Sequence, residues 1–376
     1  MKRAKKSEII ENANEIYSSS KGKKGAKHAM PKDEAKSKKA KKIFFIVLAS
    51  VLAFVVVVGA VGALYVNNLL GHLNKTDKFK EDDININSEL DAALGGKDIV
   101  NIALFGIDTR YDTFKGRSDA VIILTIDRAR NKIKMTSIAR DSYVAIEDRD
   151  NDKLTHAYAY GGAQLAVQTL NENYDLNIRD YITVNFFGIV EVIDKLGGLE
   201  VDVDSSEKYV MNTEYVPELN RIGLPCDEIT KTGVQHLTGA QALAYSRNRY
   251  SPGGDAARTA RQREVLSLMF EKVKAQGLVK LDSIVRLAFE NCETNLSNSD
   301  ILSLAKWAIT SSPTIESLSL PDEDCNVREG DDAFLVVNGK KVWYSIYDID
   351  VAIQKIHDFI KEEGTYLEVK DVTSSN

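Results

Sequence analysis

The chain has 376 residues, 44% hydrophobic and 28% charged, with a formal net charge of −6. Residues 1–42 hold 14 Lys/Arg against 5 Asp/Glu, a surplus of nine that leaves −15 for the remainder. A basic tail before an acidic body argues against a nucleic-acid binder, which wants its positive charge on the fold. Three cysteines (Cys226, Cys292, Cys325) are too few for a disulfide scaffold and form no CxxC; outside the cell any one pair of them is free to bridge. The five histidines include no HExxH, which weakens a zinc-hydrolase reading.

In chain order, residues 1–42 read as a cytoplasmic, mostly disordered basic tail, Lys/Ser/Ala/Gly-rich from Ser18 to Lys42. Ile9, Ile10, Ala13, Ile16 and Tyr17 fall at helical spacing within it. Ile43–Val66 is a run of 24 residues without a charge. Roughly 20 apolar residues cross the hydrocarbon core, and the run exceeds the usual signal-peptide core, so it reads as an uncleaved signal anchor. The lysines at 36, 38, 39, 41 and 42 place its N-terminus in the cytoplasm and residues 67–376 outside a single-pass cell membrane protein.

Residues 67–96 are polar, contain Gly95-Gly96 and read as an extracellular stalk, with the catalytic domain expected over 97–362 and a tail over 363–376. Asp98–Ile107, Asp119–Ile126 and Lys132–Ile138 are strand-like, the second and third joined by a hairpin-length connection. Helical spacing follows over 163–174, a strand over 181–186, a helix over 189–196 stopped by Gly197-Gly198, and a strand over 199–203. Further helices are expected at 239–246, 258–274, 281–291, 299–310 and 349–362. The alternation is that of one α/β or α+β domain, with strand order and sheet type left open.

The three early strands carry a geometric argument. If the middle one is antiparallel to both neighbours, the end of the first, the start of the second and the end of the third share one sheet edge. Asp108 and Arg110, Arg117 and Asp119, and Arg140 and Asp141 stand at those positions. A single exposed pair would be worth little, but three Asp/Arg pairs on one edge point to a site. A second constellation runs from Tyr245 to Arg263. Arg247 and Arg249 lie two apart in expected extended chain; Pro252-Gly253-Gly254 turns, Asp255 is a candidate N-cap, and Arg258, Arg261 and Gln262 share a helix face.

Arginines in the first turns of a helix oppose its dipole, and a bound polyanion relieves that repulsion. Guanidinium forks suit phosphate oxygens. Together the clusters predict a di- or pyrophosphate held by arginines, with aspartates for Mg²⁺ (or Mn²⁺) and catalysis by positioning and charge stabilisation. His156 reads as a satisfied structural histidine. No GxSxG, Walker or GxGxxG motif is present.

Seven segments in order, LFGIDTR (104–110), GRSDAVII (116–123), SIARDSYV (137–144), KLTHAYAYGGA (153–163), VNFFGIVEVIDKLGGLEVDV (184–203), HLTGAQALAYSRNRY (236–250) and GDAARTARQREVL (254–266), resemble the LytR-CpsA-Psr family. The resemblance is close over about 97–270 and looser to about 362. It implies an α/β/α sandwich (a central mixed sheet flanked by helices) with a hydrophobic pocket for a polyprenyl tail. The implied activity is transfer of an anionic glycopolymer (teichoic acid, capsule or similar) from a polyprenyl-pyrophosphate carrier to peptidoglycan, forming a phosphodiester. By the same resemblance Asp108 and Asp119 are metal-associated, and Arg117, Arg140, Arg247, Arg249, Arg258, Arg261 and Gln262 face the pyrophosphate. Asp141 and Asp255 fall in matching motifs, and Arg110 joins the substrate-binding set. Ala139 stands where the family often has Pro, and Asp150-Asn151-Asp152 replaces a glycine-richer loop. A membrane-bound regulator of envelope genes is the alternative, though 42 residues are too few for an independent DNA-binding fold. A lipid-pyrophosphate hydrolase or binding protein is a third reading.

Overall fold

The computed structural model describes residues 65, 67–93, 98–108, 114–275 and 278–362. The expected basic tail, the C-terminal tail over 363–376 and, but for Tyr65, the expected membrane span 43–66 lie outside them. No helix among the described residues is long and apolar enough to cross a membrane.

In chain order, β1 (Asn74–Lys75) and α1 (Ser88–Ala93) precede three long strands, β2 (Ile99–Asp108), β3 (Arg117–Asp127) and β4 (Lys132–Ile138). A two-residue pair follows, β5 (Tyr143–Val144) and β6 (Asp152–Lys153), then α2 (Leu154–Tyr174), β7 (Asp180–Asn185), α3 (Phe186–Lys195) and β8 (Leu199–Val203). The next stretch holds α4 (Ser205–Val210), a π turn over Met211–Tyr215, α5 (Val216–Arg221), β9 (Gly233–Leu237) and α6 (Gly239–Arg247). Last come α7 (Gly254–Ala275), α8 (Leu278–Glu290), β10 (Cys292–Thr294), α9 (Asn298–Ser311), β11 (Thr314–Leu320), the hairpin β12 (Phe334–Val337) and β13 (Lys340–Trp343), and α10 (Ile349–Lys361).

The central sheet runs β1-β10-β7-β2-β3-β4-β11. It is mixed: β3 is antiparallel to β2 and β4, while β2 pairs β7 and β4 pairs β11 in parallel. The β3–β4 connection is the expected tight hairpin, with Asn131 in the left-handed region at φ 58. Antiparallel β2, β3 and β4 bring the end of β2, the start of β3 and the end of β4 to one edge.

Helices cover both faces. On one, Phe105, Val121 and Ile123 pack with Tyr158, Val167 and Leu170 of α2 and Ile356 and Ile360 of α10. Buried Lys134 ties α10 down: its ammonium donates to the carbonyls of Phe359 (2.9 Å) and Ile360 (3.1 Å), using the last-turn acceptors a helix leaves open. The other face is covered at one end by Ile301, Leu304 and Trp307 of α9. At its other end, α3, α6 and α7 build a second core around Ile193, Leu243 and Val265. Gly239 is required there, because a Cβ would meet the Val190 carbonyl oxygen at 2.2 Å. Gly161 and Gly162 leave helical geometry (φ 64 at Gly162) and kink α2, so the helical spacing read over 163–174 is the stretch beyond the kink.

The chain departs from expectation in three places. Residues 67–93 of the expected stalk belong to the folded body: β1 pairs with β10, Leu70, Ile84 and Leu90 are buried, and Arg179 grips Asp91 at 2.7 and 3.1 Å. Three isolated apolar residues among polar ones have no period to announce them. Arg247 is the last residue of α6 rather than extended chain, and Asp255 sits in the first turn of α7 rather than at its N-cap. Cys226, Cys292 and Cys325 are all free thiols, Cys325 in the first core and Cys226 in the second.

Candidate functional site

A cavity of about 410 Å³ opens where the shared sheet edge meets α3, α6 and α7. Its floor is apolar, with Leu104, Ile122 and Val184 from the sheet and Ile189, Leu243 and Leu266 from helices. Its polar lining holds six arginines, Arg117, Arg140, Arg221, Arg247, Arg249 and Arg258, against three carboxylates, Asp119, Glu214 and Glu218. That excess of positive charge over an apolar floor suits an amphiphile with a multiply charged anionic head.

The sheet edge supplies the first part. Ile107 pairs with Ser118 and Gly106 with Ala120, so Asp119 is the extra residue of a β-bulge, a device that re-aims a side chain. Asp119 Oδ1 accepts from Arg140, and no hydrogen bond reaches its Oδ2 among the described residues. Burial works against the Arg140 charge, but Asp119 and Asp141 outweigh it and hold the guanidinium above its ordinary value. Asp141 accepts from Arg140 Nε (3.3 Å) and from Lys153 Nζ (2.7 Å). Against burial, Arg140 and Lys153 keep its carboxyl below the usual carboxylate value. Asp108 closes β2 opposite Arg117; Arg110 lies outside the described residues.

The helices supply the rest. The Arg247 guanidinium lies 4.6 Å from the Phe186 ring centroid and donates to Glu218 at 3.2 Å. Arg249 follows after the helix break, donating through its backbone N–H to the Tyr215 hydroxyl (3.2 Å) and through its side chain to the Tyr250 hydroxyl (2.9 Å). Arg258 is buried beside Asp255, with Nη2 2.8 Å from the carboxylate. Burial pushes Arg258 below and Asp255 above their ordinary values. Arg140 repels both Arg249 and Arg258. Gln262, one turn beyond Arg258, also lines the cavity.

Arg117, Asp119, Arg140, Arg247, Arg249, Arg258 and Gln262 therefore meet at one cavity. Asp141 and Asp255 stand behind it, against Arg140 and Arg258. Arg261 is not brought to it. Its guanidinium donates to Glu207 Oε1, the Asn248 carbonyl and Ser251 Oγ, each at 2.7 Å, and these bonds fix it in the core behind α7. Sequence reasoning missed the wall built by the π turn and α5, Glu214, Tyr215, Glu218 and Arg221, and also Lys153. The wall has no local signal. Lys153 opens a motif but gains its role only beside Asp141. His156 is occupied, its Nδ1 2.8 Å from Asp152. No cluster of three or more His, Cys, Asp or Glu able to hold a metal occurs among the described residues.

Residues 64–345 match the sequence model of the LytR_cpsA_psr family. The polyisoprenyl-teichoic acid–peptidoglycan teichoic acid transferase TagU of Enterococcus faecalis is 32% identical over 277 residues, covering 71% of this chain and 83% of that protein. TagT of Bacillus subtilis, named for the same activity, is 33% identical over 298 residues, covering 77% and 88%. Among solved structures, TagT bound to LI-WTA is similar with a TM-score of 0.55 at 29% identity, covering 71% of this chain and 91% of that one. YwtF (TagT) with bound octaprenyl pyrophosphate lipid is similar with a TM-score of 0.51 at 28% identity, covering 71% and 90%.

Proposed function

The chain belongs to the LytR-CpsA-Psr family, and from that premise we propose that it transfers an anionic glycopolymer from a polyprenyl-pyrophosphate carrier to peptidoglycan. The observation that carries the reading is one cavity lined both by six arginines and by apolar side chains, which matches a diphosphate head on a hydrocarbon tail. Relatives named as teichoic acid transferases, and a similar structure titled with octaprenyl pyrophosphate, support the same class of donor. Teichoic acid is the polymer these names favour; capsule polysaccharide has no such support. The anchor, if residues 43–66 form it, holds the site on the outer side of the membrane, where both substrates are found.

In this reading Arg247, Arg249 and Arg258 hold the phosphoryl oxygens, and Arg117 and Arg140 stabilise charge that builds on the transferred phosphoryl group. Gln262 donates to a bridging or terminal oxygen. Attack of an acceptor hydroxyl forms the phosphodiester, and the carrier leaves as its phosphate. Asp119, whose Oδ2 takes no hydrogen bond among the described residues, suits a divalent cation that takes one or two carboxylates plus phosphate oxygens, and the family resemblance adds Asp108, which closes the adjoining strand opposite Arg117. When bound, Mg²⁺ would neutralise diphosphate charge. Asp119, the aspartate that lines the cavity, is the candidate acceptor for the hydroxyl proton.

The test is turnover of a polyprenyl-pyrophosphate-linked glycan by the full-length protein, wild type against Arg247→Ala. Wall-linked product, reduced at least a hundredfold in the variant, is expected. Free polymer in place of linked polymer would make the protein a hydrolase, and undiminished turnover would discard the site.

A further inference from the structure

An exposed aromatic surface is linked to the cavity through Lys153, Asp141 and the cavity-lining Arg140. Phe334 and Trp343 face each other across the β12–β13 hairpin. Phe334, Val336 and Trp343 are 38%, 75% and 39% exposed, too much apolar surface on one short hairpin to be incidental. Tyr160, itself exposed, lies beside the His156 ring, 5.8 Å between centroids. One carboxylate joins the two groups: Asp152 accepts from Tyr160 (2.8 Å) and from Tyr344 (3.2 Å), the residue that follows Trp343.

This surface is bolted to the catalytic edge. The Ser345 N–H donates to the Asp141 carbonyl at 2.9 Å, and the Tyr143 N–H donates to the Ser345 carbonyl at 3.0 Å. The Lys153 ammonium stands 5.7 Å from the Trp343 ring centroid and 2.7 Å from Asp141 Oδ1, and Asp141 in turn holds Arg140. A ring resting on Trp343 is therefore linked through Lys153 and Asp141 to Arg140, which lines the cavity.

We propose that Trp343, Phe334 and Tyr160, with Lys153 and Asp152 between them, form a binding platform for the sugar rings of the acceptor glycan strand. The inference rests on the transferase reading and adds to it the place of the second substrate. Pyranose rings offer an apolar C–H face to an aromatic side chain and hydroxyls to neighbouring charged groups, and both kinds of group alternate here. Charge does not favour a bilayer here, because the exposed acids Glu329, Asp331 and Asp332 are matched by exposed Arg328, Lys340 and Lys341, and a lipid surface would have to be held without a basic surplus. The acceptor must also be held near the residues that face the phosphorus, and this surface is tied to Arg140 through Lys153 and Asp141.

The chain has two tryptophans, and Trp307 packs under α9, so Trp307→Phe leaves Trp343 as the only reporter. The full-length Trp307→Phe chain in neutral-lipid nanodiscs is titrated with a purified N-acetylglucosamine–N-acetylmuramic acid tetrasaccharide. A saturable change in Trp343 emission is expected. In transfer assays, Trp343→Ala should raise the acceptor KM about tenfold at nearly unchanged kcat, with octaprenyl-pyrophosphate Kd within twofold of wild type. Trp343→Tyr, which keeps a ring, should recover most of the loss, a rescue that a folding defect would not give. A flat titration, or emission that responds to anionic vesicles and not to the tetrasaccharide, overturns the platform. Tetrasaccharide binding by a wild-type chain that fails to bind octaprenyl pyrophosphate would support the platform while removing the donor reading.

Discussion

Replacing Arg261 by leucine tests whether this arginine serves the fold or the proposed site. The residue is buried at 6% exposure, and its three hydrogen bonds clamp α7 to the start of α4, through Glu207, and to the 248–251 loop. Glu207 is itself buried and closes the capping box of α4 with Asp204. Removing one partner of a buried ion pair leaves the other uncompensated and costs about 3–5 kcal/mol. A folded body of about 300 residues has an unfolding entropy of roughly 0.6 kcal/mol/K, so the loss corresponds to a Tm drop of about 5–8 °C. Differential scanning calorimetry of the full-length protein measures it. Leucine at both 207 and 261 should recover at least half of the drop, because neither charge is then stranded. An unchanged Tm in Arg261→Leu together with abolished transfer would refute the reasoning and return Arg261 to the substrate.

Arg117→Ala should do the opposite, lowering kcat/KM by about 10²–10³ with a Tm within roughly 1 °C of wild type, as expected of an exposed arginine on the cavity. Arg263 is pushed down to about 10 by burial alone, and its Nη1 finds no partner among the described residues. The nominal cost of about 3 kcal/mol, discounted for partial exposure, leaves roughly 1–2 kcal/mol, so Arg263→Met should raise the urea midpoint without changing m. Asp141 has a depressed folded pKa, so the stability it lends is present above the ordinary carboxylate value and is lost as pH falls through the folded one. Urea midpoints of wild type and Asp141→Asn should therefore differ at pH 7 and converge towards pH 3; a gap independent of pH counts against the ion-pair account. Chelation by EDTA should stop transfer and excess Mg²⁺ should restore it, whereas transfer that persists in EDTA removes the metal from the scheme.

The sequence by itself determined more of the site than of the fold. The tight hairpin and the short β2–β3 connection dictate antiparallel pairing, so the convergence of Arg117, Asp119 and Arg140 on one edge follows from local chain reversal and the two-residue period of a strand. Arg258 and Gln262 followed equally from helical spacing. What the sequence left open depended on partners far away in the chain. β11 pairs in parallel with β4 through partners 182 residues apart, and β1 belongs to a segment that packs through Leu70, Ile84 and Leu90, which show no period. Arg261 carries the same local signal as Arg258. Only packing decided between them, by bringing Glu207, Asn248 and Ser251 against one guanidinium and leaving the other at the cavity. Local spacing fixes the face on which a charge begins, and the tertiary contacts decide whether that charge is satisfied within the protein or left for a ligand.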